Sequence, residues 1–259
     1  DAEAFSSAVQ GARLVVLNAV SNVLGTRLPV AALAREARAA GALVLVDTAQ
    51  SAGHLQVDLK DADLVAFTGH KGLLGPQGVG GLWVREGVVL KPLVSGGTGG
   101  DSSRVEMPSV LPDGLEAGTL NGPGIAGLGA GCRELLALGL PAVHAHVSRL
   151  KARLWDGLSA ISGVRVLSPP QPEGGGIVTS IPTRGDPARL AHALDRDHGV
   201  LGRAGLHCAP GVHGVLGTLK TGALRLSVGW GAELEDVDRA LEAVDRCVGS
   251  RSIRVEDVE

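Results

Sequence analysis

The sequence predicts an α/β protein: a mostly parallel sheet in a large domain over residues 1–140, then a smaller α+β domain over 141–259. Three observations predict it. Leu14–Leu17, Leu43–Val46 and Leu64–Phe67 are short runs apolar at every position, the pattern of strands buried on both faces. A stretch of helical periodicity separates the first two, as a parallel crossover requires. From about Pro141 the pattern changes to helices and strands in mixed runs.

The elements follow in order. The first clear one is the strand Leu14–Leu17. Pro29 opens a helix, with its missing N–H and fixed φ suited to a first turn. Val30, Leu33, Ala34 and Ala37 repeat at helical spacing, and Gly41 stands where a helix stops. Leu43–Val46 and Leu64–Phe67 are the next strands and Gly81–Val84 a fourth, giving a sheet expected to be covered on both sides. Residues 95–131 are rich in Gly, Ser and Pro with little periodicity, which marks a long functional or disordered loop. A helical stretch follows, then Val143–Ile161 as helix and Val164–Leu167 and Ile177–Ile181 as strands. Asp186 caps a helix of Pro187–Asp197, since its carboxylate can accept from the first free N–H groups. Leu224–Val228 is a strand, Glu233–Val248 a closing amphipathic helix, and 251–259 a charged, frayed tail.

Composition narrows the function classes. With 259 residues, 44% hydrophobic and 20% charged, the chain can bury a real core. A net charge of −3 argues against a broad nucleic-acid-binding surface. No run approaches the roughly 18 apolar residues of a membrane span, and Asp1–Gln10 lacks the basic start and apolar core of a signal peptide. Three cysteines without a CxxC pair suit a reducing compartment, so the expected location is the cytoplasm. His207, Cys208 and His213 fit no zinc spacing, and Gly127–Cys132 fails the dinucleotide fingerprint because its last position is Cys132.

The chemistry concentrates at two strand ends. In Val46-Asp47-Thr48-Ala49-Gln50 an acid follows a buried strand directly, and in Thr68-Gly69-His70-Lys71-Gly72 a lysine follows the next. Taken singly, these read as a turn acid and a surface lysine. Together they occupy the same edge of neighbouring strands, where open α/β sheets bind ligands. Pyridoxal 5′-phosphate (PLP) needs this set: an amine for its aldehyde, a carboxylate for its ring nitrogen, and hydroxyl or imidazole donors for its phosphate.

Four spaced motifs then carry a resemblance. Ser21-Asn22-Val23-Leu24-Gly25-Thr26, Asp47-Thr48-Ala49-Gln50, Thr68-Gly69-His70-Lys71-Gly72 continuing to Gly78, and Glu116-Ala117-Gly118-Thr119 are similar, in order, to those of cysteine desulfurases. These are fold-type-I PLP enzymes of the class V aminotransferase group. The resemblance implies that Lys71 bonds the cofactor and Asp47 pairs with its ring nitrogen. Gln50 and Asn22 would reach the phenolic oxygen, Ala49 would pack on the ring, and Thr68 and His70 would hold the phosphate. Thr119 would reach the cofactor of the other subunit in a homodimer. Arg225 would clamp the carboxylate of L-cysteine, with Arg203 beside it. Cys208, in Arg203-Ala204-Gly205-Leu206-His207-Cys208-Ala209, would take the sulfur as a persulfide, release L-alanine, and pass the sulfur to an acceptor protein or small thiol. Free cysteines are more often inert core residues, and Cys132 and Cys247, on helical stretches, are read that way.

The sequence departs from the family in places. Leu120 replaces a usual proline, and Gly211 lies in a loop that varies. The family carries a longer N-terminal segment that contributes a phosphate-binding turn and a ring-stacking residue; here there is no tyrosine and no histidine before His54, so the resemblance implies that this segment is absent. Selenocysteine lyase, another class V transaminase or lyase, and a non-catalytic fragment unable to hold PLP are the alternatives.

Overall fold

The computed structural model describes residues 2–100, 103, 105–170 and 174–249; the tail expected over 251–259 lies outside them. Helix α1 (Ala2–Ala8), not anticipated from the sequence, leads into strand β1 (Leu14–Asn18), helix α2 (Val30–Ala39) and strands β2 (Leu43–Asp47), β3 (Leu64–Thr68) and β4 (Gly80–Val84). β1, β2 and β3 run parallel in chain order and β4 returns antiparallel on β3. The register pairs Asn18 with Asp47 and Asp47 with Ala66, so the carboxyl ends of three strands share one edge.

The sheet is covered differently from the expectation. Strand side chains alternate, and Leu17, Val44, Val46 and Val65 point to the face that packs on Val9, Ala34 and Ala37. The other face carries Leu14, Val16, Leu43 and Leu82, 41–61% exposed. The reason lies in the connections. Only the β1–β2 crossover contains a helix; β2–β3 offers one 3₁₀ turn (Leu59–Asp61), and β4 follows β3 antiparallel. Among the described residues β1 therefore stands at the edge of the sheet, with Leu14 and Val16 exposed.

The glycine-rich stretch after residue 95 hides a helix start. Helix α3 (Gly122–Leu138) begins some ten residues before the end of the expected loop, capped by Asn121 Oδ1, which accepts from Gly124 N at 3.0 Å. Its glycines spoil helical periodicity but admit close packing: a Cβ on Gly131 would lie 2.4 Å from the Leu73 carbonyl, in the loop that follows Lys71. Helix α4 (Leu140–Ala160) then turns by 88° from α3. Among the described residues no single helix is long and apolar enough to cross a membrane; α3 and α4 reach that composition only as this bent pair.

The second sheet comprises β5 (Val164–Val166), β6 (Ile177–Pro182), β7 (Arg203–Gly205) and β8 (Ala223–Ser227), antiparallel in the order β5-β6-β8-β7. Helices α4, α5 (Pro187–His198) and α7 (Leu234–Gly249) bury Leu150, Leu154, Leu190, Leu194, Leu241 and Val244 against it. The expected Asp186 cap is present, accepting from Ala188 N at 2.8 Å and Arg189 N at 3.0 Å. A short helix, α6 (Pro210–Leu216), stands between β7 and β8.

The turn after β1 ties the two sheets together. Ser21 Oγ accepts from Val23 N and Leu24 N, and Gly25 N closes on the Ser21 carbonyl at 3.0 Å. Gly25 has φ +67, and a Cβ there would meet the Ile177 carbonyl at 2.7 Å, so only glycine fits. Thr179 of β6 donates to the Val23 carbonyl, and Gly175 N to that of Gly25 at 3.0 Å. Asn22 is thereby pinned at the junction.

Candidate active site

Strand β2 delivers Asp47 to the sheet edge. Thr48 ties the following turn to β3, its N and Oγ1 both donating to the Ala66 carbonyl. Asp47 Oδ1 accepts from Ala49 N at 2.8 Å; Oδ2 has no protein partner among the described residues. One oxygen holds the turn and the other is free for a cationic donor.

Strand β3 delivers Thr68, and a tight loop follows it. Gly69 N donates to Val79 O and Gly75 N to Gly69 O, leaving His70 and Lys71 exposed at the crest. The loop meets the Asp47 turn backbone to backbone: a Cβ on Gly53 would lie 2.0 Å from the Gly72 carbonyl, and one on Gly72 would lie 2.3 Å from that of Ala52. No larger residue permits this approach, which brings Lys71 beside Ala49 and Gln50.

A cleft of about 380 Å³ opens there, lined by Ala49, Gln50, His54, Lys71, Arg225 and Trp230, among others. It gathers four of the expected site residues on its wall: Ala49, Gln50, Lys71 and Arg225. Asp47, Thr68 and His70 stand at the adjoining strand ends but do not line it, and Thr119 is exposed on the long loop away from it.

Arg225, on β8, gives Nη1 to the Asn22 carbonyl at 2.8 Å, while its Nε is buried without a partner. Burial lowers its pKa, and Arg203 lowers it further. The two arginines are direct cross-strand partners. Like charges directly opposite destabilise a sheet, so the pair suits an anion, and a carboxylate matches the guanidinium fork.

Cys208 is exposed, with Arg203 Nη2 3.3 Å from its Sγ. Cys132 is half-buried and Cys247 buried, both on helices as expected. The Cys208 segment is not simply an exposed loop: His207 beside it is 2% exposed. Asn22 Nδ2 donates to the His207 carbonyl at 2.6 Å. Asn22 therefore contacts both Arg225 and the Cys208 turn, which links the cleft to the thiol.

His54 and Trp230 belong to no sequence motif, and only the fold brings them into the cleft with Lys71. Burial, with His144 and Lys151 nearby, lowers the His54 pKa to about 4. Burial also lowers those of His207, faced by Arg225, His213 and Arg203, and of His213. All three resist protonation when folded but not when unfolded. Stability is therefore full above about pH 6.5 and falls as the pH drops toward the folded values. For His54 alone the loss reaches about 3 kcal/mol at pH 4. Denaturant midpoints should fall between pH 6.5 and 4, a window above that of Asp63, whose pKa is lowered from 3.8. A flat profile there would refute the assignment.

The donor set fits PLP. Asp47 has an oxygen to spare for a protonated ring nitrogen, Lys71 an amine that bonds nothing among the described residues, and Thr68 and His70 a hydroxyl and an imidazole for a phosphate.

Known proteins resemble the chain along almost its whole length. A probable cysteine desulfurase of Methanothermobacter thermautotrophicus is 37% identical over 92% of this chain and 61% of its own length. One from Pseudomonas aeruginosa is 40% identical over 90% and 58% respectively. The apo structure of a cysteine desulfurase from Thermococcus onnurineus NA1 superposes with a TM-score of 0.87 at 36% identity, covering 96% of this chain and 63% of that one. The chain thus spans about 60% of the length of the curated relatives it matches. Its α/β fold is that of the fold-type-I PLP enzymes, present in part. With the aminotransferase class-V profile matching residues 2–240, the chain belongs to that family.

Proposed function

We propose that the protein acts as a PLP-dependent cysteine desulfurase, converting L-cysteine to L-alanine and carrying the sulfur as a persulfide on Cys208. One observation carries the reading: an exposed thiol, 3.3 Å from an arginine, is tethered through Asn22 to the arginine that lines a cleft with Lys71. A desulfurase needs a cofactor amine, a carboxylate clamp and an accessible nucleophile within reach of one substrate.

Asp47, Thr68, His70, Ala49 and Gln50 would hold the cofactor beside Lys71. Bound there, PLP supplies an electron sink for the pair left when the substrate's α-proton departs. Arg225, aided by Arg203, binds the α-carboxylate and so fixes which substrate bond faces Lys71. The Lys71 amine takes the α-proton and holds it for return. The Cys208 thiolate attacks the substrate sulfur, and a sulfur–sulfur bond forms as the carbon–sulfur bond breaks. The freed β-carbon takes a proton from solvent to balance the one the thiol lost, and with the α-proton returned the carbon side leaves as alanine. An acceptor protein or small thiol then takes the terminal sulfur. Thr119, exposed in its Gly-rich loop, reads as a contact to the cofactor of a second subunit, so the working form is a homodimer. The sparse cysteines read as a cytoplasmic protein. The two sheets read as two domains divided near residue 140.

Product analysis tests the reading: the whole protein, given PLP and cysteine, should yield alanine, and a product of β-elimination such as pyruvate would count against it. Arg225→Ala should lower kcat/KM for cysteine about a hundredfold through KM, since a charge-assisted pair contributes a few kcal/mol. An unchanged KM with an altered cofactor spectrum would assign Arg225 a structural role.

A further inference from the structure

We propose that His213 and Thr218 are positioning residues for Cys208, acting through the buried ring of His207; this rests on reading Cys208 as the sulfur-accepting thiol. His207 and Cys208 both have left-handed backbones, φ 51 and 61. Residues with side chains rarely adopt that conformation, and two in succession persist only where their surroundings hold them.

A directed chain of hydrogen bonds holds them. His207 Nε2 lies 3.0 Å from the Arg203 carbonyl, which can only accept, so Nε2 carries the proton. Nδ1 of the same neutral ring must then accept, and His213 Nε2 donates to it at 3.3 Å. That leaves His213 Nδ1 as an acceptor, filled by the Thr218 hydroxyl at 2.8 Å. Thr218, His213 and His207 are at most 2% exposed, so water cannot replace a lost link. The chain ends on Arg203, whose guanidinium reaches Cys208 Sγ at 3.3 Å. The strand residue that anchors the strut is thus also the thiol's donor. Asn22 holds the turn from the other side through the His207 carbonyl. Cys208 is left exposed on a fixed base, as a nucleophile needs when small misplacements cost rate.

Thr218→Val, similar in shape, removes only the hydroxyl; Thr218→Ser restores it. In the whole, PLP-loaded protein, Thr218→Val should speed amide hydrogen exchange across residues 206–209 about tenfold while α5 exchanges as before. It should lower kcat for alanine release about tenfold with KM for cysteine unchanged. Thr218→Ser should recover both. Wild-type exchange at 206–209 in Thr218→Val would overturn the strut. Faster exchange with unchanged kcat would overturn its positioning role. If Cys208→Ala itself makes alanine at the full rate, the desulfurase reading falls, and exchange alone then decides whether the strut holds the turn.

Discussion

Borohydride reduction of the PLP-loaded protein should leave a pyridoxyl group on Lys71, and Lys71→Ala should lose cysteine-dependent alanine formation by a thousandfold or more. The magnitude follows because in the proposed mechanism one amine both anchors the cofactor and moves the substrate's α-proton, each worth orders of magnitude in rate. The tempting rival is Lys151, whose pKa burial lowers to about 8. Geometry excludes it: Lys151 is 1% exposed on α4, hydrogen-bonds the Gly25 carbonyl at 3.4 Å, and does not line the cleft. Lys71 has the opposite surroundings, at the crest of a loop held against the Asp47 turn by the Gly53–Gly72 contact. Lys91 and Lys220 are exposed and away from the cleft. Peptide mapping decides, and a label on Lys151, Lys91 or Lys220 would end the assignment.

Local signals were legible and pairings were not. Asp186 announces α5 because its cap acts within three residues, and Gly41, at φ +85, ends α2 where only a left-handed residue fits. The apolar runs place β1, β2 and β3, and their parallel order puts Asp47 near Lys71. The start of α3 was hidden because the glycines that let it pack on the Lys71 loop erase its periodicity. The exposure of Leu14, Val16, Leu43 and Leu82 among the described residues has no sequence signal, because leucines and valines read as buried whether or not these residues supply a helix to cover them. Arg203 and Arg225 are each legible as candidate substrate residues, but their direct opposition depends on the β7–β8 register, which the 21 residues between them do not reveal. The bond from the Asn22 amide nitrogen to the His207 carbonyl, 185 residues away, has no signal in the sequence either.

Cys208→Ala should separate two halves of the chemistry. The variant should still bind PLP, accept cysteine, and exchange the substrate's α-proton for deuterium, because the proposed mechanism gives those steps to Lys71, Asp47 and Arg225. Alanine release should fall by about a thousandfold or more, since no other thiol can take the sulfur. Cys132 is half-buried in α3, and Cys247 is buried in α7 with its pKa raised by burial, which withholds the thiolate that attack requires. Cys208 differs on each count: it is exposed, has a guanidinium 3.3 Å away, and sits on a turn hydrogen-bonded to Asn22, whose carbonyl accepts from the cleft-lining Arg225. The fold should be unharmed, because an exposed side chain is being shortened and the buried His207 ring that holds the turn is untouched. Mass spectrometry of the wild-type protein after cysteine treatment should find one extra sulfur on the Cys208 peptide and none on those of Cys132 or Cys247. Wild-type alanine production by Cys208→Ala would remove this thiol from the reaction and favour a selenocysteine lyase or another class V lyase.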